Sequence, residues 1–314
     1  MRIALLLLSA VFLIVSLIFI QNKKEEPINI SFYHWENTYN QKEIKQKVYV
    51  KVLDISYSTK IEVINTIFQT EPNNSFVPVV YITNDTMKNV DYSIISNQII
   101  KNLKATNLSF EELQIDCDWS SSTQSNYFKL LEDLKVKLNK TLSATIRLHQ
   151  IKYYVKTGIP PVDYGVLMYY NMSDISDINT KNSILDNDIA KKYHYNFDSY
   201  KLKLKLALPL YSQAIQFREN KALDIFEGAE KKDFDENFKA LDNNKYEVIN
   251  STYFKGRYVY KGDIFRFEDS EKEDIKTAFD DFSKISNNRF NEVIFYTLKY
   301  ENKYDLEKLL KGKQ

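Results

Sequence analysis

The sequence predicts an α/β fold, a single (β/α)₈ TIM barrel. Three observations predict it. Eight strand-like runs recur along the chain, several with the two-residue alternation that puts one face inward and the other outward. Helical stretches with apolar residues at three- and four-residue spacing separate many of them. No internal repeat or linker divides residues 23–314, and a chain of that length suits one barrel with an insertion.

The N-terminus is a different kind of segment. Ile3 to Ile20 is a run of eighteen apolar or small residues interrupted only by Ser9 and Ser16, near the length that crosses a bilayer as a helix. Residues 1–22 are therefore expected to form a hydrophobic helix that anchors the chain in a membrane and places the domain outside the cytoplasm. A cleaved signal segment, leaving a secreted or periplasmic domain, is the alternative.

Next come the strands Asn29–Trp35, Lys47–Ile55 and Ser75–Thr83, the last containing Pro78, which objects to a central position. Ser93 to Leu103 places Ile94, Ile95, Ile99, Ile100 and Leu103 on one helical face. Glu112 to Ser120 (ELQIDCDWS) is the fourth strand. Ser120, Ser121 and Ser122 then offer N-cap chemistry to a helix with Tyr127, Leu130, Leu131, Leu134 and Leu138 facing the core. Leu142–Leu148 and Tyr164–Asn171 follow, parted by the breaker Gly158-Ile159-Pro160-Pro161. Leu202–Tyr211 is the seventh strand. An aromatic-rich, β-rich insertion over about residues 221–270 precedes a helix at Glu273–Ile285, the eighth strand Glu292–Leu298 and a closing helix.

Composition excludes several functions. Forty-three Lys and Arg against 42 Asp and Glu give a net charge of +1, so no basic excess points to nucleic acid. With six glycines and no GxGxxG or GxxxxGK[ST], neither nucleotide-binding signature is present and no cofactor is expected. One cysteine and three dispersed histidines offer no zinc set, and no metal site is assigned. There is no GxSxG elbow for a serine nucleophile.

The fourth strand carries the chemistry. Leu113, Ile115, Cys117 and Trp119 share one face; Gln114, Asp116, Asp118 and Ser120 share the other. Two carboxylates at a strand's C-terminal end open into a barrel's active-site mouth, and charge is costly to bury without partners. Arg147 can reach either aspartate from the fifth strand, which is the ordinary structural explanation of the pair. The other strand ends offer Trp35, Glu36, Tyr170, Asn171, Tyr211 and Gln213. Carboxylates among Tyr, Trp, Asn and Gln, without a metal triad or phosphate cradle, suit a sugar.

These residues resemble chitinase-type glycoside hydrolases, which carry D-x-x-D-x-D-x-E on the fourth barrel strand. Leu113 to Ser120 matches as L-x-x-D-x-D-x-S: Asp116 and Asp118 fall on the second and third acids, Leu113 replaces the first, and Ser120 replaces the catalytic Glu. Met168-Tyr169-Tyr170-Asn171 is similar to that family's M-x-Y-D. A closer resemblance is to an uncharacterised bacterial family of secreted or envelope-bound TIM barrels with no assigned activity. It runs through YHWEN at Tyr33, YVKVLD at Tyr49, LQIDCD at Leu113, LSATIRLHQ at Leu142 and GIPPVDYGVLMYYNM at Gly158.

The chitinase resemblance implies that the Glu protonates the leaving oxygen while the neighbouring Asp and the matching Tyr170 hold the substrate's N-acetyl group. Serine cannot donate that proton at neutral pH, and the lost step is worth roughly 10²–10⁴-fold. The expectation is an envelope-anchored, glycoside hydrolase-like barrel. Asp118, Asp116 and Glu36 are its catalytic candidates, with Glu36 a possible replacement acid. Tyr170, Asn171, Arg147, Trp35, Tyr211, Gln213 and Ser120 are its candidates for binding a glycan. The alternative is a carbohydrate-binding protein that does no chemistry. A third is a scaffold that binds a protein through the aromatic insertion.

Overall fold

The structure, a computed structural model, describes residues 28–41, 44–72, 76–287 and 290–311. The expected anchor, residues 1–22, lies outside them. Among the described residues no helix is long and apolar enough to cross a membrane.

Eight parallel strands form the barrel: β1 Asn29–His34, β2 Lys47–Tyr57, β3 Val77–Ile82, β4 Glu112–Asp116, β5 Thr141–Arg147, β6 Tyr164–Met168, β7 Leu204–Pro209 and β8 Glu292–Tyr296. Each pairs with its sequence neighbour, and β8 closes the ring on β1. Pro78 sits inside this ring after all. The ladder from β3 to β4 begins only at Val79, so the missing N–H falls below it.

Alternation sorts the side chains. Tyr33, Tyr49, Val79, Val166, Met168 and Tyr170 fill the interior, whereas Leu113, Ile115, Cys117 and Trp119 pack outward under the helices. A polar layer closes the N-terminal end: Lys47 meets Glu112 at 2.9 Å, and Lys205 meets Glu292 at 2.6 Å. Helix α1 (Tyr92–Ala105) starts at Asp91, whose carboxylate accepts the Ser93 N–H at 2.9 Å. Its buried stripe is Ile95, Ser96, Ile99 and Leu103, while Ile94 is 48% exposed. Helix α2 (Gln124–Leu138) begins one turn later than Ser120–Ser122, with Thr123 at the cap position and a turn between. Its buried face is Tyr127, Leu130, Leu131 and Leu134.

Two regions depart from strict alternation of strand and helix. Among the described residues no helix joins β1 to β2 or β2 to β3. Instead Ile61–Asn65 folds back antiparallel on β2, and Thr38–Tyr39 pairs with Ile67–Phe68. The β-rich insertion follows β7, and its first strand is already Ser212–Arg218. Five antiparallel strands and a separate hairpin enclose a core of their own, including Phe226, Phe238, Phe254 and Phe265. Helix α3 (Lys272–Ile285) then returns the chain to the barrel.

Candidate functional site

The fourth strand delivers its polar face to the barrel mouth, as alternation requires. Asp116, its last residue, points inward and is buried; Thr145 on β5 donates to its Oδ1 at 2.5 Å. Burial raises this carboxyl to about 6; Arg147 opposes the shift and Asp118 adds to it. Asp118 stands two residues on and is 55% exposed. Arg147, at the end of β5, donates to it twice, from Nε at 2.7 Å and from Nη2 at 3.2 Å. Burial works against the guanidinium charge, but Asp118 outweighs that and holds the group protonated. Its third nitrogen, Nη1, is buried with no partner among the described residues.

The intervening residues fix the loop. Trp119 stacks on Tyr127 at 5.1 Å and donates Nε1 to the Thr157 carbonyl at 2.8 Å. Gln150 donates to the Trp119 carbonyl at 3.1 Å. Those bonds hold Asp118 and Ser120 toward solvent while their neighbours anchor outward.

A cavity of about 650 Å³ opens above β4, β5 and β6, with Asp118, Ser120, Arg147, His149, Tyr170 and Asn171 in its wall. Tyr170 packs against Tyr296 at 5.6 Å, and burial pushes its hydroxyl pKa up, with Arg147 opposing. Asn171 takes a left-handed backbone, φ 56°, which asparagine tolerates better than most residues. Its amide oxygen accepts the Tyr211 hydroxyl at 2.7 Å. Tyr211 therefore positions Asn171 and is not itself in the wall.

Three more expected site residues stand outside the wall. Trp35 packs edge-on against Tyr33 and Tyr81 at 6.0 and 6.2 Å, roofing the barrel axis beside the cavity. Glu36 is solvent-exposed, 3.8 Å from Lys299, and does not reach the cavity wall. It follows β1, on the side of the ring away from β4–β6, and finds its countercharge after β8. Gln213 is buried in the insertion, donating to Glu268 at 2.8 Å and to Ser183 at 3.2 Å. Its strand begins the inserted sheet instead of ending β7.

His149, by sequence another residue at the end of the fifth strand, enters the wall two residues after β5, where burial lowers its pKa. Sequence reasoning missed other contributors. Tyr193 and Met172 arrive from the segment between β6 and β7, where no periodic signal marks them. Lys51 is buried and pairs with Asp54 at 2.8 Å near Trp35; its place inside β2 gave no hint of a mouth-facing charge. Among the described residues no group of three His, Cys, Asp or Glu side chains is arranged to hold a metal ion. A second cavity, about 320 Å³, lies where the insertion meets α3, walled in part by Asp186, Asp269 and Asp274. Two of its carboxylates are engaged locally: Asp186 caps a short helix and Asp269 pairs with Lys303.

The fold defines a (β/α)₈ TIM barrel with a cavity at the C-terminal ends of β4–β6. No protein-family model matches the chain, and no curated protein matches it in sequence. Among solved structures it is similar to the spore cortex-lytic enzyme SleL of Bacillus megaterium, at 10% identity and TM-score 0.56, over 93% of this chain and 76% of that one. SleL of Bacillus cereus is similar at 11% identity and TM-score 0.52, over 92% and 75%. A chitinase from Chromobacterium violaceum is similar at 12% identity and TM-score 0.52, over 90% and 98%. At these identities the likeness is one of fold.

Proposed function

We propose that this protein is a carbohydrate-binding barrel of glycoside hydrolase architecture, holding a glycan in the cavity above β4–β6 without cutting it. One observation carries the reading. Asp118 is the only carboxylate in the cavity wall among the described residues, and Arg147 engages it twice. Glycoside cleavage ordinarily needs two carboxyl groups flanking the bond, one of them free to give a proton. Ser120, in the place that the chitinase-type motif gives to that acid, also lines the cavity; its hydroxyl exchanges hydrogen bonds with Ser122 at 2.9 Å and Thr123 at 3.3 Å. Arg147 and Asn171 then read sugar oxygens, with the tyrosine-rich wall behind them. An apolar wall carrying a few convergent polar groups is what orients a bound sugar.

One feature favours a hydrolytic reading: Asp116, raised to about 6, is protonated in mildly acidic solution. Its place below Asp118, bonded to Thr145, argues against contact with a leaving oxygen. Incubating the full-length chain with a panel of soluble oligosaccharides separates the two. Binding read by calorimetry should occur for at least one glycan, with no reducing ends released at any pH. Arg147→Met should weaken that binding by about tenfold or more, the loss of one charged hydrogen bond. Reducing ends that form below neutral pH and vanish in Asp116→Asn would overturn the binding-only reading.

A further inference from the structure

The cavity opens at one side onto a further surface. Tyr193 stands in the cavity wall and belongs also to a rim outside it. The Lys152 ammonium lies 5.0, 5.1 and 5.4 Å from the ring centres of Tyr193, Tyr195 and Tyr153. It donates to the Lys192 carbonyl at 2.7 Å, and Asn196 donates to the Lys152 carbonyl at 2.7 Å. Two segments, 148–157 and 189–196, are thereby pinned into one surface. Tyr153 and Tyr195 are 49% and 59% exposed on it, a costly display of ring area unless something covers it.

The charge on this rim is one-sided. Residues 148–157 (LHQIKYYVKT) and 189–196 (IAKKYHYN) contain four lysines and no Asp or Glu. Lys191 faces Asp281 at 3.9 Å, but exposed Lys156 and Lys192 have no ion pair among the described residues. Lys152 spends one of its three donors on a carbonyl and none on a carboxylate. The nearest cavity carboxylate, Asp118, is taken by Arg147. In a chain of net charge +1, such a local excess is a field that draws anions.

We infer that the bound glycan continues from the cavity across this rim and that the continuation is acidic: a sugar polymer bearing carboxylates. Its rings lie on Tyr153 and Tyr195, and its acid groups meet Lys152, Lys156 and Lys192. Aromatic faces beside cations select this over a neutral polymer, because rings alone supply stacking while unpaired ammoniums add attraction that only an anion exploits. The inference rests on the cavity being a glycan site. Two sources share the chemistry, uronic acid polymers and amino-sugar strands with a lactyl ether acid.

The test compares three soluble oligomers of equal length on the full-length chain: oligogalacturonate, peptide-free alternating N-acetylglucosamine–N-acetylmuramic acid strands, and a neutral chito-oligosaccharide. At low salt at least one acidic oligomer should bind about tenfold tighter than the neutral one, and its advantage should shrink as salt screens the rim. Whichever acidic oligomer binds tighter names the source. The double variant Lys156→Gln/Lys192→Gln alters only exposed side chains and should remove most of the advantage while neutral binding holds. Equal binding of all three overturns the inference and leaves the cavity reading intact. An acidic preference unchanged in the double variant overturns the assignment to this rim. No binding of any oligomer overturns both.

Discussion

Asp116 and Asp118 are two residues apart, yet the barrel gives them opposite surroundings. Asp118 reaches solvent and a guanidinium; Asp116 faces the interior and a threonine hydroxyl. Burial is the largest influence on Asp116, and its carboxyl moves from 3.8 to about 6. The folded state therefore keeps this proton to higher pH than the unfolded chain does. Between those two values unfolding releases protons, so the group's contribution to stability falls as pH rises through the window and is level above it. The full shift is worth roughly 3 kcal/mol. Asp116→Asn removes the titration while leaving an oxygen for Thr145. Its stability relative to wild type should rise by up to roughly 3 kcal/mol between about pH 4 and pH 7, read from urea unfolding at each pH. A difference between the two proteins that does not change with pH would remove burial as the cause. The same environment explains why Asp118, and not Asp116, stands in the cavity wall.

At the scale of elements, packing between strands and the outer layer sets the tolerances. Gly165 on β6 has no room for a side chain: a Cβ there would lie 2.7 Å from Ile146 Cγ1 and 3.1 Å from both Leu202 Cδ2 and Leu204 Cδ2. Gly165→Ala should therefore cost about 1–3 kcal/mol through overpacking, seen as a lower urea midpoint at unchanged slope. A midpoint within error of wild type would show that β5 and β7 give way freely. Such contacts cannot be read from one sequence, whereas periodicity can. All eight barrel strands were legible because each buries one or both faces over several residues, and Gln114 and Asp116 turned inward as alternation demands. Ile94 was assigned to the wrong side of α1 because four apolar residues flank a stripe that Ser96 completes. The antiparallel return at Ile61–Asn65 escaped notice, its residues being largely exposed. The seventh strand was expected to end at Tyr211 and the insertion to begin at about residue 221, yet the inserted sheet already starts at Ser212, with no break stronger than Pro209 to announce it. That early start carries Gln213, expected just past a strand end at the mouth, into the inserted sheet. Glu36 went astray for another reason: order along the chain says which strand a residue follows, not how far across the ring its side chain stands.

The whole molecule depends on how the insertion is tied to the barrel mouth. Arg266 and Glu268, both on an inserted strand, form a completely buried ion pair at 2.7 Å. Arg266 also donates to the carbonyls of Ile175 and Asp177, and Glu268 accepts from Ser183 at 2.5 Å. Those partners lie between β6 and β7, the segment that begins with the cavity residues Asn171 and Met172. Its return is stitched close by, with Asn171 N–H donating to the Ile184 carbonyl at 2.8 Å and Asn182 to the Asp269 carbonyl at 2.9 Å. The inserted sheet thus braces one wall of the cavity. Arg266→Met leaves the buried Glu268 carboxylate without its countercharge and should destabilise the protein by about 3–5 kcal/mol. Adding Glu268→Leu replaces the pair by hydrocarbon, which is often neutral or better in such sites. Much of the lost stability should then return in urea unfolding. The carbonyls of Ile175 and Asp177 remain without their donor, however, so glycan affinity should stay below wild type even in the recovered double variant. Recovery of stability together with full affinity would show that the wall holds its shape without the insertion, and that the inserted sheet is a passenger on the barrel.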